Sequence, residues 1–185
     1  IYGCGLRREE ALALTVFDIY LNRSLLTVNK ALVFDGNNPV LKGTKSENGV
    51  RSVPMPVFLT DYLRSYLKWI NGTNLFYSRG NIHITKSSYT KMWKRIVNAL
   101  SEVDKQNLRI RELTAHVFRH NYCSNLCYQI PAVSIKKIAQ LMGDTEAVVL
   151  KVYNHMILEK EDAASAIENA LAPSNKNLTS ALRKS

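Results

Sequence analysis

The most constraining feature of this sequence is a series of three helix signals between residues 114 and 153. Thr114 and Ser134 are residue types that cap helix N-termini, and each stands at the start of a segment predicted to be helical. The first of these helices continues to about Tyr128, and a third, short and apolar, spans 148–153. The second half of the chain is therefore predicted to be mainly helical.

Four side chains spread along the sequence are suited to binding and attacking a phosphodiester. His116 and Arg119 lie one helical turn apart, so both can point at one anion. Arg7 follows Gly-Leu near the start of the chain, and Tyr153 lies in the last predicted helix. Arginine can hold the anion and tyrosine can attack it, although a tyrosine taken alone is more often an ordinary core or surface residue.

The net charge of +10 indicates a polyanionic partner, for which nucleic acid is the usual candidate. A soluble protein that is merely basic is the alternative. One predicted helix, with an apolar stripe from Tyr89 to Val103, carries cations without an intervening acid on its other face. We predict that this face contacts DNA phosphates, with a solvated face as the alternative. Its cations are Lys86, Lys91, Lys94 and Arg95.

The composition disfavours membrane and secreted proteins. No apolar run approaches the roughly 18 residues of a membrane helix, and the signal-peptide pattern is missing. Three cysteines make no disulfide framework, which fits a reducing cytoplasm. The chain starts without Met in what looks like the end of a helix, so we expect it to be an N-terminally truncated fragment.

The first half of the chain mixes short helices with strands. Runs rich in Leu, Val and Thr between turn residues predict a small three-stranded antiparallel sheet. Asn48-Gly49 favours a hairpin turn between its last two strands, and Ser87 or Ser88 can cap a later helix. The predicted elements are a helix at 7–14, strands at 24–34, 40–44 and 50–54, and a helix from Val57 to Asn71-Gly72.

Four stretches resemble the catalytic domain of the tyrosine recombinases, the phage-integrase family of site-specific DNA recombinases. They are GLRREEALAL at 5–14, GTKSENGVRSVPMP at 43–56, TAHVFRHNYCSNL at 114–126 and IAQLMGDTEAVVLKVYNHM at 138–156. They follow the family's order, and 43–56 is most similar to integrases of phages and conjugative transposons. The resemblance implies an α+β, mainly helical catalytic domain over 1–172, and we expect a flexible tail over 173–185.

The resemblance implies that DNA strands are cut and rejoined through a 3′-phosphotyrosyl intermediate. Arg7 and Arg119 would bracket the scissile phosphate, and Tyr153 would attack it. Arginine suits this role because its planar fork donates two parallel hydrogen bonds and keeps its charge. Arg8 is the rival to Arg7, but it falls one place off the motif.

Three further residues carry supporting roles under the same resemblance. His116 is the family's basic residue near the nucleophile. Lys45 would be the general acid that protonates the leaving 5′ oxygen, with Lys42 as its rival. Glu10 would orient the other side chains, or would merely favour the first turn of a helix.

One position departs from the family's pattern. The family usually has His or Trp nine residues before the nucleophile, where this chain has Asp144. An ionised carboxylate cannot donate a hydrogen bond to phosphate and would repel it. Three alternatives stay open: Asp144 acts through another side chain, a nearby donor such as His155 substitutes, or activity is reduced.

The resemblance implies neither a cofactor nor a metal. His116, His120, Cys123 and Cys127 share one helical stripe, but one straight helix cannot surround a zinc ion with four ligands. The implied partners are double-stranded DNA at the bacterial nucleoid and other protomers in a synaptic tetramer. An amphipathic segment over 159–171 is the candidate for docking in trans, with packing on its own domain as the alternative.

Two other functions stay open at this point. A type IB topoisomerase-like enzyme would use similar arginine, lysine and tyrosine chemistry to relax supercoiled DNA. A catalytically inactive DNA-binding module could keep the fold without the reaction, and Asp144 is the residue that favours this alternative.

Overall fold

The computed structural model describes residues 1–43, 49–78, 80 and 82–158 of the 185-residue chain. The predicted α+β, mainly helical fold is confirmed. The helices in these ranges are α1 Arg8–Ala13, α2 Val57–Tyr66, α3 Lys86–Val103, α4 Ala115–Cys127, α5 Ile135–Met142 and α6 Glu146–Leu158. The strands are β1 Ile19–Tyr20, β2 Leu25–Val28, β3 Lys30–Asp35, β4 Asn38–Gly43, β5 Arg51–Pro54, β6 Tyr77–Ser78 and β7 Ile82–His83.

The strands form three small antiparallel sheets. One has three strands in the order β1-β2-β5, in which Leu26 pairs with Ile19 on one side and Val53 on the other. β3 and β4 form a separate hairpin, and β6 pairs with β7. Gly36 lies in the tight turn of the β3–β4 hairpin with a φ of +56°, a conformation that glycine adopts without steric cost.

The prediction of one strand over 24–34 is wrong, because the chain divides there into β2 and β3 at exposed Asn29. Leu26 and Val28 of β2 pack in the cluster that includes Val53 and α2, whereas Leu32 of β3 packs with α1. The two halves bury their apolar side chains in different clusters, so one continuous strand cannot reach both clusters. The strand predicted at 40–44 therefore pairs with β3 alone, and β1 completes the three-stranded sheet.

Two of the three predicted helix caps are correct. The hydroxyls of Thr114 and Ser134 accept hydrogen bonds from the backbone amides three residues later, at 3.3 and 3.2 Å. The prediction for Ser87 or Ser88 is wrong: Thr85 caps α3, since its hydroxyl accepts from the Ser88 amide at 3.3 Å. The short helix predicted over 148–153 is longer, because α6 runs from Glu146 to Leu158.

Helices α4, α5 and α6 pack around a second apolar cluster that contains Cys123, Ile138 and Val149. α5 ends at Gly143, whose φ of +61° turns the chain sharply towards α6. β5 lies against α5, so the three-stranded sheet and the helical cluster meet at this turn. No helix in the described ranges is both long and apolar enough to cross a membrane.

Candidate functional site

Arg119 on α4 is the buried centre of the candidate site, with only 5% of its surface exposed. Its guanidinium donates to the backbone oxygens of Gly5 and of Met142, the latter at 2.8 Å, and to Asp144 Oδ2 at 2.9 Å. Burial lowers the pKa of Arg119, the Arg7 charge acts in the same direction, and Asp144 opposes both. A guanidinium nevertheless stays protonated in proteins, so the pocket keeps this positive charge.

Arg7 approaches the same place from the N-terminus of α1. Its Nη2 donates to the Gly143 oxygen at 2.9 Å and lies 3.3 Å from Asp144 Oδ2. Its Nη1 donates to Glu10 Oε1 at 3.0 Å. Arg8, the rival, also lines the pocket, but through other contacts: its guanidinium pairs with Glu9 and lies 5.6 Å from the centre of the Tyr89 ring.

Glu10 lies beneath the two arginines with a side chain that is 4% exposed. It accepts from the Arg7 backbone amide at 2.7 Å and from both terminal nitrogens of Arg51, at 3.0 and 2.8 Å. Burial alone would raise the pKa of Glu10, but the hydrogen bonds and charges of Arg51 and Arg7 outweigh burial and lower it. Glu10 is therefore an ionised anchor within a group of cations.

Arg51 is the participant that our sequence reasoning missed. A basic residue at the start of a short strand ordinarily lies at the surface, and nothing in its own neighbourhood pairs it with a residue 41 positions away. The available signal was the position of Arg51 two residues before the apolar Val53. Residues two apart in a strand share a face, so Arg51 points inward with Val53. An inward-pointing charge requires a buried partner, and Glu10 is that partner.

Asp144 stands between the two arginines, and its Oδ2 contacts both of them. Its other oxygen accepts from the Thr145 amide at 3.2 Å, and the side chain is 23% exposed. Of the alternatives left open by the sequence, action through another side chain is the one for which contacts are present. His155, the other candidate donor, is exposed on α6.

Arg7, Arg119 and Asp144 border an open pocket of about 470 Å³. The structure thus brings four residues predicted from the sequence to one place, together with Tyr89, Trp93 and Thr114 of the surrounding wall. The four are Arg7, His116, Arg119 and Asp144.

Among the described residues, two predicted catalytic residues, Glu10 and Tyr153, do not border the pocket. Tyr153 is half-buried on α6 and packs against the cluster of α4, α5 and α6. Lys45 lies outside the described residues, as do the segments 159–171 and 173–185.

The predicted DNA-binding cations are exposed along α3, the helix that contributes Tyr89 and Trp93 to the pocket wall. Within the part of the chain that the structure describes, none of the four forms an ion pair. Lys94 also borders an adjoining cavity of about 730 Å³, together with Arg111. The helix that forms part of the pocket wall therefore presents exposed positive charge.

The stripe of histidines and cysteines on α4 divides between two environments. Cys123 and Cys127 are buried in the helical cluster, whereas His116 and His120 are exposed. Among the described residues, no group of three or more His, Cys, Asp or Glu is placed to hold a metal ion.

The chain is similar to known proteins both in sequence and in fold. The sequence model of the phage integrase family matches residues 1–159. Tyrosine recombinase XerA of Thermococcus kodakarensis is 26% identical over 159 residues, which cover 86% of this chain and 49% of that protein. Tyrosine recombinase XerD of Pasteurella multocida is 24% identical over 170 residues, with the same coverage of 86% and 49%. The chain therefore spans about half the length of the curated relatives it matches.

Solved structures establish the fold. The Tn1549 transposon integrase in complex with transposon right end DNA superposes with a TM-score of 0.72 at 23% identity, covering 92% of this chain and 56% of that chain. The XerA recombinase superposes with a TM-score of 0.58 at 23% identity, covering 91% and 53%.

Proposed function

Because this chain belongs to the phage integrase family, as its sequence motifs predicted, we propose that it cuts and rejoins DNA strands as a site-specific tyrosine recombinase. The observation that carries the proposal is the convergence of Arg7 and Arg119 on one oxygen, Asp144 Oδ2, at 3.3 and 2.9 Å. The two guanidiniums come from elements far apart in sequence and meet at the edge of an open pocket. Such a pair is suited to the non-bridging oxygens of a phosphodiester.

In the proposed reaction, the Tyr153 hydroxyl gives its proton to His116, which acts as the base, and its oxygen attacks the phosphorus. The bond from phosphorus to the 5′ oxygen breaks, and Lys45 gives that oxygen a proton. The products are a 3′-phosphotyrosyl bond and a free 5′-hydroxyl, and attack by a 5′-hydroxyl on the phosphotyrosine reverses the step. His116 assists the proton transfers, which is worth about 10²–10⁴ in rate for a positioned acid or base.

Each part of the pocket has a share in the proposed catalysis. Arg7 and Arg119 stabilise charge on the pentacoordinate phosphate, and loss of one such donor costs about 10²–10³ in rate. Glu10 supports Arg7 from beneath. Tyr153 is half-buried against the helical cluster and would supply the nucleophile from α6.

The proposed partner is double-stranded DNA, held in part by the exposed cations of α3. The Tn1549 integrase, whose fold this chain shares, was solved with DNA. We further propose that four protomers assemble on DNA in a synaptic tetramer and that the segment 159–171 docks on a neighbouring protomer. The catalytic domain would span 1–172, followed by a tail over 173–185. These remain predictions from the family resemblance, as does a role in a phage or other mobile element.

A second candidate function is a catalytically inactive DNA-binding module. Asp144 favours this alternative, because its carboxylate already pairs with both arginines. An ionised carboxylate also has no hydrogen to donate to a phosphate. Relaxation of supercoils by a type IB topoisomerase-like reaction gains no such support from a particular contact.

The test uses the protein at the full length that its gene encodes and a pool of nicked suicide DNA substrates. The short 5′ fragment diffuses away after cleavage and traps the covalent complex. We expect a denaturant-resistant protein–DNA band from the wild type and from Tyr62→Phe, the same change at an exposed tyrosine of α2. Tyr153→Phe should give no band.

Two results would contradict the proposal in different ways. A band that persists in Tyr153→Phe removes Tyr153 as the nucleophile. Absence of a band from the wild type, with DNA binding intact, favours the inactive module, and Asp144→His is then the informative variant.

A further inference from the structure

Arg51 on β5 lies outside the pocket lining but contacts groups that hold the two pocket arginines. Its side chain is 7% exposed. The two terminal nitrogens donate to the two oxygens of Glu10 at 3.0 and 2.8 Å, and Nε donates to the Leu141 oxygen at 2.9 Å. One side chain thus joins the sheet to α1 and to the end of α5.

The groups that Arg51 holds are those that hold the two pocket arginines. Glu10 binds the backbone amide and Nη1 of Arg7. The three residues after Leu141 bind both guanidiniums: the Met142 oxygen accepts from Arg119, the Gly143 oxygen accepts from Arg7, and Asp144 contacts both. Arg51 is therefore one contact removed from each of them.

Gly143 gives independent evidence that the fold fixes the position of the Arg51 side chain. Its φ of +61° is one that residues with a side chain rarely adopt. A Cβ at this position would also overlap the guanidinium of Arg51. The turn that supplies carbonyl and carboxylate groups to both arginines is thus shaped around Arg51.

We propose that Arg51 is a positioning residue for DNA cleavage, an inference that rests on the function proposed above. It holds both oxygens of Glu10, and so leaves Arg7 with one hydrogen bond from its guanidinium to that carboxylate. Without Arg51, the buried carboxylate keeps Arg7 at 3.0 Å and Arg119 at 3.9 Å as its close cations and draws both away from the pocket. The turn after Leu141 loses its tie to the sheet at the same time.

The first measurement compares the rate of covalent complex formation at saturating DNA, and the DNA affinity, in full-length wild type, Arg51→Met and Arg51→Lys. We expect Arg51→Met to react about 10²-fold more slowly, the order seen when an oxyanion-stabilising donor is lost. DNA affinity should fall by no more than about tenfold, because Arg51 acts only on the single phosphate that the two pocket arginines hold. Arg51→Lys should recover part of the rate, since it keeps the charge but not the two parallel hydrogen bonds.

The matched control is Arg64→Met, which removes an exposed arginine of α2 that pairs with Asp61. It should leave both quantities unchanged. A wild-type rate in Arg51→Met, or equal losses of rate and affinity, would overturn the proposal. If Arg51→Met does not fold, as judged by its thermal unfolding, Arg51→Lys provides the same comparison.

The double variant Glu10→Gln with Arg51→Met separates positioning from general damage to the fold. Neutralising the carboxylate removes the pull on the pocket arginines, so the double variant should lose less rate than the product of the losses in the two single variants. Losses that simply multiply would show that Arg51 acts independently of Glu10, which overturns the proposal.

A readout that does not need cleavage distinguishes this proposal from the proposed function. Trp93 borders the pocket, and Trp69→Phe leaves it as the single tryptophan of these 185 residues, so the fluorescence of this 185-residue chain can report the binding of inorganic phosphate. Arg51→Met should weaken that binding about tenfold, the order of one charge-assisted hydrogen bond. If the wild type cuts no DNA but shows this difference, the recombinase function fails and positioning by Arg51 stands. Unchanged phosphate affinity in Arg51→Met would overturn positioning.

Discussion

The sharpest prediction concerns Asp144, whose carboxylate occupies the position between the two arginines. A phosphate that enters must replace the hydrogen bond from Arg119 Nη2 to Asp144 Oδ2, which is 2.9 Å long. Such a bond to a charged group contributes about 1.5–3 kcal/mol, and the partial exposure of Asp144 favours the lower end. The contact with Arg7 adds little, because that side chain is well exposed.

Asp144→Asn keeps the shape of the side chain and removes its charge. A gain of about 1.5 kcal/mol corresponds to roughly tenfold tighter binding. We expect this gain for inorganic phosphate, followed through Trp93 in the Trp69→Phe background, and for DNA at constant salt. Glu146→Gln on α6, an exposed acid just beyond the turn, is the matched control and should change neither affinity.

Competition between the Asp144 carboxylate and phosphate is refuted if Asp144→Asn binds phosphate no more tightly, or more weakly, than the wild type. That result would mean that the carboxylate holds the two guanidiniums in their binding geometry and does not compete with the phosphate. The rate of covalent complex formation at saturating DNA then shows whether the charge is needed for the chemistry.

Three further predictions follow from individual contacts. The lowered pKa of Glu10 contributes stability that is fully present above the unfolded value of about 4.3 and is lost as the pH falls through the lower folded value. The difference in free energy of unfolding between wild type and Glu10→Gln, from urea titrations, should therefore shrink below about pH 4; a constant difference would contradict this. Thr114→Ala removes the α4 cap and should cost about 1 kcal/mol in the same assay, whereas Thr114→Ser should cost much less. Lys94→Ala should lower the slope of log affinity for DNA against log salt by about 0.9 if Lys94 contacts one phosphate, and an unchanged slope would place Lys94 outside the interface.

The features that the sequence predicts best are those that depend on neighbouring residues. Thr114 caps α4, and the spacing of His116 and Arg119 places both at one pocket, because a helix fixes the relation between residues three apart. The mainly helical fold follows from similar local signals and from the family resemblance.

The features that could not be predicted depend on contacts between distant segments. The division of 24–34 at Asn29 is decided by which cluster buries Leu26 and which buries Leu32, and both halves have the same strand-like composition. The ion pair of Arg51 with Glu10 joins two charged residues whose separate surroundings give no sign of each other. The pattern of a single sequence predicts which face of an element a side chain occupies, but it does not predict which distant residue packs against that face.

The way in which Arg119 is held has a consequence for how such a site persists as sequences diverge. Two of its hydrogen bonds go to backbone oxygens, those of Gly5 and Met142, which every amino acid supplies. A replacement at position 142 that preserves the end of α5 leaves its bond to the guanidinium intact. The orientation of Arg119 is thus set largely by the path of the chain, which tolerates replacement at position 142 but requires glycine at position 5, where a Cβ would overlap the Tyr122 ring.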